Sequence, residues 1–119
     1  MSYDVRVYTK ETMENEKNFS GEDFFEIEEN IISFTPDQYE KLKQMIDYDL
    51  VEIKRDDMGV HYQHKNESIP ISGLLTSNAL YLSTPWNPDG IFEIGMLASE
   101  LTGGEFAKYD PQNNGWEYE

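Results

Sequence analysis

Cysteine is absent from the chain. That removes disulfide frameworks, thiolate metal sites and a cysteine nucleophile together, and it fits a reducing compartment. Basic residues are scarce: 9 Lys and Arg stand against 24 Asp and Glu, a formal net charge of −15. Such a surface repels nucleic-acid phosphates and anionic membranes, both of which are recognised through Lys and Arg, so direct binding to either is not expected. Long apolar runs are missing as well. The opening Met1-Ser2-Tyr3-Asp4-Val5-Arg6 holds no signal-peptide core, and no stretch approaches the roughly 20 apolar residues that cross a bilayer. A cytoplasmic location is expected.

What is present suffices to fold. Leu, Ile, Val and Phe make up 27 of 119 residues, above the roughly 20% below which high net charge signals disorder. The length suits a single domain over residues 1–119.

Tyr3, Val5 and Val7 alternate with Asp4, Arg6 and Tyr8, the period of two of a strand with one buried face. From Glu11 to Glu29 eight acids face one Lys, and the first half of that stretch, to about Gly21, reads as a solvated loop. Phe24, Phe25, Ile27, Ile31, Ile32 and Phe34 mark extended segments, joined by a turn or a continuing strand at Glu28-Glu29-Asn30. Thr35-Pro36-Asp37-Gln38 supplies an N-cap hydroxyl, a proline at the first helical position and a capping-box glutamine, so a helix begins there and runs to about Asp49.

Leu50 to Arg55 and Val60 to Lys65 flank Asp56-Asp57-Met58-Gly59 as a β-hairpin. Pro70 and Gly73 demote residues 69–75 to an edge strand or ordered loop, whereas Ala79 to Ser83 reads as a buried strand. Asn87 and Pro88 open a second helix with Trp86 as a staple onto Ile91. Its buried stripe is Ile91, Ile94, Leu97, Ala98 and Leu101, and Gly103-Gly104 stops it. A closing hairpin follows, from Phe106 to Tyr118 around Asp110-Pro111-Gln112-Asn113-Asn114-Gly115. These elements predict an α+β fold, an antiparallel or mixed sheet with two helices packed on one face, and a ferredoxin-like sandwich is the leading arrangement.

Motifs for catalysis are missing. His61 and His64, the two histidines, point to opposite faces of a strand and do not share a metal. His61 could act as a base with Asp56 or Asp57, but a polar surface role explains it as well. Glu93 and Glu100 lie near apolar residues of the second helix, which amphipathic patterning alone accounts for. Asp110, Gln112, Asn114 and Gly115 imitate the start of a calcium loop whose required acid would fall at position 121, beyond the 119 residues, so a β-turn is the reading. Ser72 and Ser83 lack a nucleophile elbow. No enzyme activity, cofactor or metal is expected.

Acid and aromatics remain. Interfaces are anchored by Trp and Tyr, with surrounding charges setting rate and specificity. The expected partner-binding residues are the acidic edge Glu26, Glu28 and Glu29, the hairpin tip Asp56 and Asp57, and the aromatics Trp86, Tyr109 and Trp116.

The opening Ser2-Tyr3-Asp4 leading directly into a strand, and the late helix ending at Gly103-Gly104 before a strand and Asp110-Pro111-Gln112, resemble the small bacterial immunity proteins encoded beside polymorphic, contact-dependent or type VI secreted toxins. The resemblance implies an α+β protein that binds one cognate toxin in the cytoplasm and blocks it, often by occluding a basic cleft such as that of a nuclease. It carries no functional residue over by position. Two alternatives stand beside it: a small-ligand protein or enzyme with a pocket near His61, Glu93 or Glu100, bounded by residues 69–85, and an acidic DNA mimic with carboxylates at phosphate-like intervals.

Overall fold

The alternation around Val5 and Val7 produces the central strand of the molecule, β1 (Ser2–Thr9). In the computed structural model, which describes residues 2–21, 23–102, 105–111 and 115–117 apart from the side chains of Glu28 and Glu117, β1 pairs antiparallel with a strand on either side. The remaining strands are β2 (Leu50–Asp56), β3 (Gly59–His64), β4 (Ser72–Leu75), β5 (Leu80–Pro85), β6 (Phe106–Asp110) and β7 (Gly115–Glu117). They form one sheet in the order β2-β3-β4-β5-β1-β6-β7, every neighbouring pair antiparallel. Among the described residues three α-helices accompany it: α1 (Lys10–Lys17), α2 (Pro36–Ile46) and α3 (Pro88–Leu101).

The α+β class with an antiparallel sheet is therefore as expected. A ferredoxin-like sandwich follows the order βαββαβ; here four strands lie between α2 and α3, and a seventh follows β6.

Both expected helix starts form for the local reasons read in the sequence. Thr35 Oγ1 accepts from Gln38 N at 3.1 Å while Gln38 Oε1 accepts from Thr35 N at 2.9 Å, a complete capping box that satisfies two backbone donors. Asn87 Oδ1 accepts from the backbone N–H of Asp89 and Gly90 at 2.9 and 3.1 Å, with Pro88 inside the first turn. The expected stop of α3 at Gly103-Gly104 lies outside the described residues.

Three expectations fail. The stretch after β1, expected as a solvated loop, is the helix α1: Thr9 Oγ1 caps it by accepting from Thr12 N at 3.1 Å, and Thr12 and Met13 are buried beneath it. Lys, Glu and Met are good helix formers, and a cap plus two buried side chains suffices to fix two turns. Residues 24–34, expected to be extended, contain two 3-10 turns, Phe24–Glu26 and Glu28–Asn30, and no strand. Their apolar spacing serves a lid over the sheet. Finally, β4 is an interior strand between β3 and β5, not an edge. Pro70 precedes the strand, and Gly73 lies in register between Tyr62 and Leu82, where a small residue accommodates two large neighbours.

The two faces of the sheet are unequal. Val5, Val7, Val60, Tyr62, Leu80, Leu82 and Phe106 face α2 and α3 and join Leu42, Ile46, Ile94, Leu97 and Leu101 in the core. At about 1.5–3 kcal/mol per fully buried large apolar side chain, this side holds most of the stabilising burial. No helix among the described residues is long and apolar enough to cross a membrane.

Candidate binding face

The second face is defined by register. Seven residues, one from each strand, align across it: Lys54, His61, Leu74, Tyr81, Arg6, Tyr109 and Trp116, each paired with the next. Opposed residues point to the same side of a sheet, so they form one row from edge to edge. A second row beside it runs Val51, Gln63, Ser72, Ser83 and Asp4. From β2 to β5 this face is open: Val51, Gln63, Ser72 and Tyr81 are exposed, and His61, Leu74 and Ser83 are partly so.

Over β1, β6 and β7 the same face carries an aromatic lid. Phe25, in the first 3-10 turn, stacks on Tyr8 with ring centroids 5.4 Å apart and meets Tyr109 at 4.9 Å; Tyr109 in turn meets Trp116 at 4.9 Å. Phe24, itself buried, and Phe19 continue the cluster. Trp116 Nε1 donates to Glu16 Oε1 at 2.8 Å, tying the last strand to α1. Burial beneath this lid pushes the Tyr8 phenol up to about 12, against the opposing pull of Arg6, so it stays a neutral hydrogen-bonding group.

Arg6 lies where the lid ends and the open strands begin. Its guanidinium carbon is 5.6 Å from the Phe25 ring and 5.9 Å from the Tyr81 ring, and Nη1 reaches the Tyr8 hydroxyl at 3.5 Å. Two adjoining clefts of about 520 and 400 Å³ share Arg6, Tyr81 and Pro111. The first is bounded by Tyr8, Phe25, Glu26, Ile31 and Tyr109, and the second by Asp4 and Ser83.

The far edge of the row is polar. His61 Nε2 lies 2.9 Å from Asp56 Oδ2, and Lys54 Nζ lies 3.8 Å from the same oxygen. The hydrogen bond with His61 holds the Asp56 carboxyl below its ordinary range, helped by the Met58 backbone N–H.

Comparison with protein-family models, with curated proteins and with solved structures finds no match to this chain. Geometry must carry the functional reading.

The residues expected to bind a partner separate into three places. Glu26, Tyr109 and Trp116 come together at the lid end of the second face, with Glu29 exposed in the neighbouring turn; Glu28 shares that turn, its side chain outside the described atoms. Asp56 and Asp57 lie at the opposite edge, six strands away, roughly 30 Å at about 4.8 Å per strand. Trp86 belongs elsewhere: it is 56% exposed and its ring meets Tyr3 at 5.9 Å, on the helix side. The eight do not form one patch. Sequence reasoning missed Arg6, Phe25 and Tyr81, although the alternation in β1 already set Arg6 on the face opposite Val5 and Val7.

The helix side has a trough of its own, about 590 Å³, between α3 and β6. Ile91, Phe92 and Met96 line it with Glu100, and Tyr3, Lys108 and Asp110 form its polar floor. The Tyr3 hydroxyl donates to the Asp110 carboxylate, and Lys108 Nζ lies 3.5 Å from Ser99 Oγ, so these polar groups are engaged with one another. His61 and Glu93 occupy opposite sides of the sheet.

Proposed function

We propose that this chain is a protein-binding inhibitor that receives a basic partner on the open face of its sheet. On the resemblance stated above, that partner is a cognate bacterial toxin bound one to one in the cytoplasm. The observation that carries the reading is the half-open second face. A sheet buried on both sides has no docking surface, whereas here β2 to β5 present Val51, Leu74 and Tyr81 with no covering element among the described residues, and exposed Tyr and aliphatic area supplies interface anchors. Around it, exposed Asp57, Asp23, Glu26 and Glu29 belong to a chain of charge −15. Such a field draws in a basic protein and raises its association rate by about 10 to 1,000-fold at low salt.

A DNA mimic fits this face less well. The row holds no carboxylate and carries the cations Lys54 and Arg6, whereas phosphate mimicry needs an anionic series. The trough beside α3 favours a small-ligand reading instead, and a Phe92→Ala, Met96→Ala pair would damage that activity while leaving inhibition intact.

The test is co-expression with the product of the adjacent gene, followed by growth rescue and size-exclusion with light scattering. A one-to-one complex that weakens with salt is expected, together with rescue that Tyr81→Glu abolishes. Rescue unaffected by charges on the open face would remove the assignment of the surface, and absence of any complex would remove the inhibitor reading.

A further inference from the structure

Arg6 is held by aromatic rings. The chain has 24 acids for 9 bases, and Lys43, Lys54 and Arg55 each lie within ion-pair distance of a carboxylate, yet among the described residues none is that close to Arg6. Its guanidinium is held by Phe25 and Tyr81 instead, and one of its five donors reaches Tyr8. A guanidinium fixed between rings has surrendered its rotational freedom before any ligand arrives, and its planar fork matches a carboxylate through two parallel hydrogen bonds.

We propose that the cleft over Arg6 receives a carboxylate carried on an aromatic or apolar body, supplied either by an acidic side chain or chain terminus of the bound protein or by a free small carboxylate. The two adjoining clefts lie in the size range of small-ligand sites, and Tyr81, Phe25 and Tyr109 offer ring faces beside the guanidinium. Asp4 and Glu26 border the same space and select for charge. With one guanidinium against two carboxylates around this space, a monoanion is opposed less than a phosphate dianion, and the bidentate fork and the ring faces supply the favourable part. The first of the two sources rests on the reading of the open face as a partner surface; the second does not.

Phenylacetate is the probe, with phenylacetamide as its uncharged counterpart and inorganic phosphate as the dianion, titrated at constant ionic strength into the ¹⁵N-labelled chain. Expected is saturable movement of the Arg6 side-chain N–H and the Tyr81 and Tyr109 amides by phenylacetate, with Kd on the order of 1–10 mM for so small a ligand. Phenylacetamide and phosphate should bind about tenfold more weakly or not at all, since the charge-assisted fork is lost or opposed. Arg6→Gln should abolish the effect and Arg6→Lys should weaken it several-fold; the acid and amide comparison on the unaltered protein decides the matter if Arg6→Gln does not fold. Equal binding of acid and amide, or shifts confined to other surfaces, would overturn the proposal.

Competition assigns the source. If the partner's own carboxylate occupies the cleft, phenylacetate displaces the partner, and if a free carboxylate does, the complex survives saturating phenylacetate. Failure of phenylacetate to bind while the toxin is still captured ends this inference and leaves the inhibitor reading standing; the opposite pair of results ends the inhibitor reading alone.

Discussion

Gly90 and Thr84 meet where α3 crosses β5: a Cβ built on Gly90 would lie 2.2 Å from Thr84 Oγ1 and 3.3 Å from Thr84 Cβ. Alanine at position 90 would gain up to about 1 kcal/mol of helix propensity, but relieving an overlap of that size costs about 1–3 kcal/mol. Gly90→Ala is therefore expected to lower stability in urea denaturation by about 1–2 kcal/mol. Thr84 Oγ1 is buried without a hydrogen-bond partner among the described residues, so Thr84→Ala removes the clashing atom at little polar cost. The double variant should recover most of the loss through a favourable coupling term. A Gly90→Ala protein as stable as the parent would show that helix and strand do not approach this closely.

A buried hydroxyl ties the lid to α1. Thr12 Oγ1, fully buried in α1, accepts from Ile32 N at 2.9 Å and shares a hydrogen bond of 3.0 Å with Thr9 Oγ1. Thr12→Val keeps the shape but deprives the Ile32 N–H of its acceptor, a loss of about 1–3 kcal/mol, whereas Thr12→Ser keeps the acceptor. Faster amide exchange at Ile32 and a changed Trp116 fluorescence are expected for the valine variant only. Identical exchange in both variants would mean that α1 does not hold the lid.

The contrast between the helix starts and the lid shows what a sequence reveals. Thr35 with Gln38, and Asn87 with Pro88, act within four residues, so their chemistry is visible before any fold is known. The Arg6 cleft depends instead on Tyr81 and Tyr109 arriving on either side of β1, and that register is set by strands far apart in the chain. Alternation in β1 marks Arg6 as facing away from the core; it is silent about the neighbours. Phe24 and Phe25 mislead for a related reason. Apolar residues in an irregular lid obey neither a period of two nor one of 3.6, so they look like a strand interrupted by acids. Pro70 and Gly73 point to an edge because both weaken a ladder, yet Pro70 lies before β4, and Gly73 pairs within it between Tyr62 and Leu82.

Tyr8 provides a pH signature of that lid. Its folded value, pushed up to about 12 by burial, lies above the ordinary 10.0. For an acid whose charged form is disfavoured by folding, the stabilising contribution is complete below the unfolded value and is lost as pH rises from about 10 towards 12, because the unfolded chain ionises first. Spectrophotometric titration should show tyrosines ionising late, among them Tyr8 and the buried Tyr62, whose phenol is also raised by burial. Tyr8→Phe should delete one late step and lessen the alkaline loss of stability. Loss of an early step near 10 in that variant, in place of a late one, would put Tyr8 in contact with solvent.

Steering and anchoring should separate at the two ends of the second face. Asp56 is a poor site for a charge-reversal test because it accepts from Met58 N at 3.0 Å and meets His61, so reversing it disturbs the hairpin as well as the field. Asp57, exposed in the turn, perturbs the field alone. Against the captured partner, Asp57→Lys is expected to slow association several-fold at low salt, with the dissociation rate unchanged and the difference fading as the Debye length falls from about 10 Å at 0.1 M towards 3 Å at 1 M. Tyr81→Ala, by contrast, removes a ring that is 39% exposed at the middle of the row, and it should hasten dissociation about tenfold or more while leaving association nearly as it was. Surface plasmon resonance at several salt concentrations measures both. If Tyr81→Ala altered association alone, or Asp57→Lys altered dissociation alone, the carboxylate would be the anchor, the ring would lie outside the contact, and the bound surface would have to be sought at the hairpin end of the sheet.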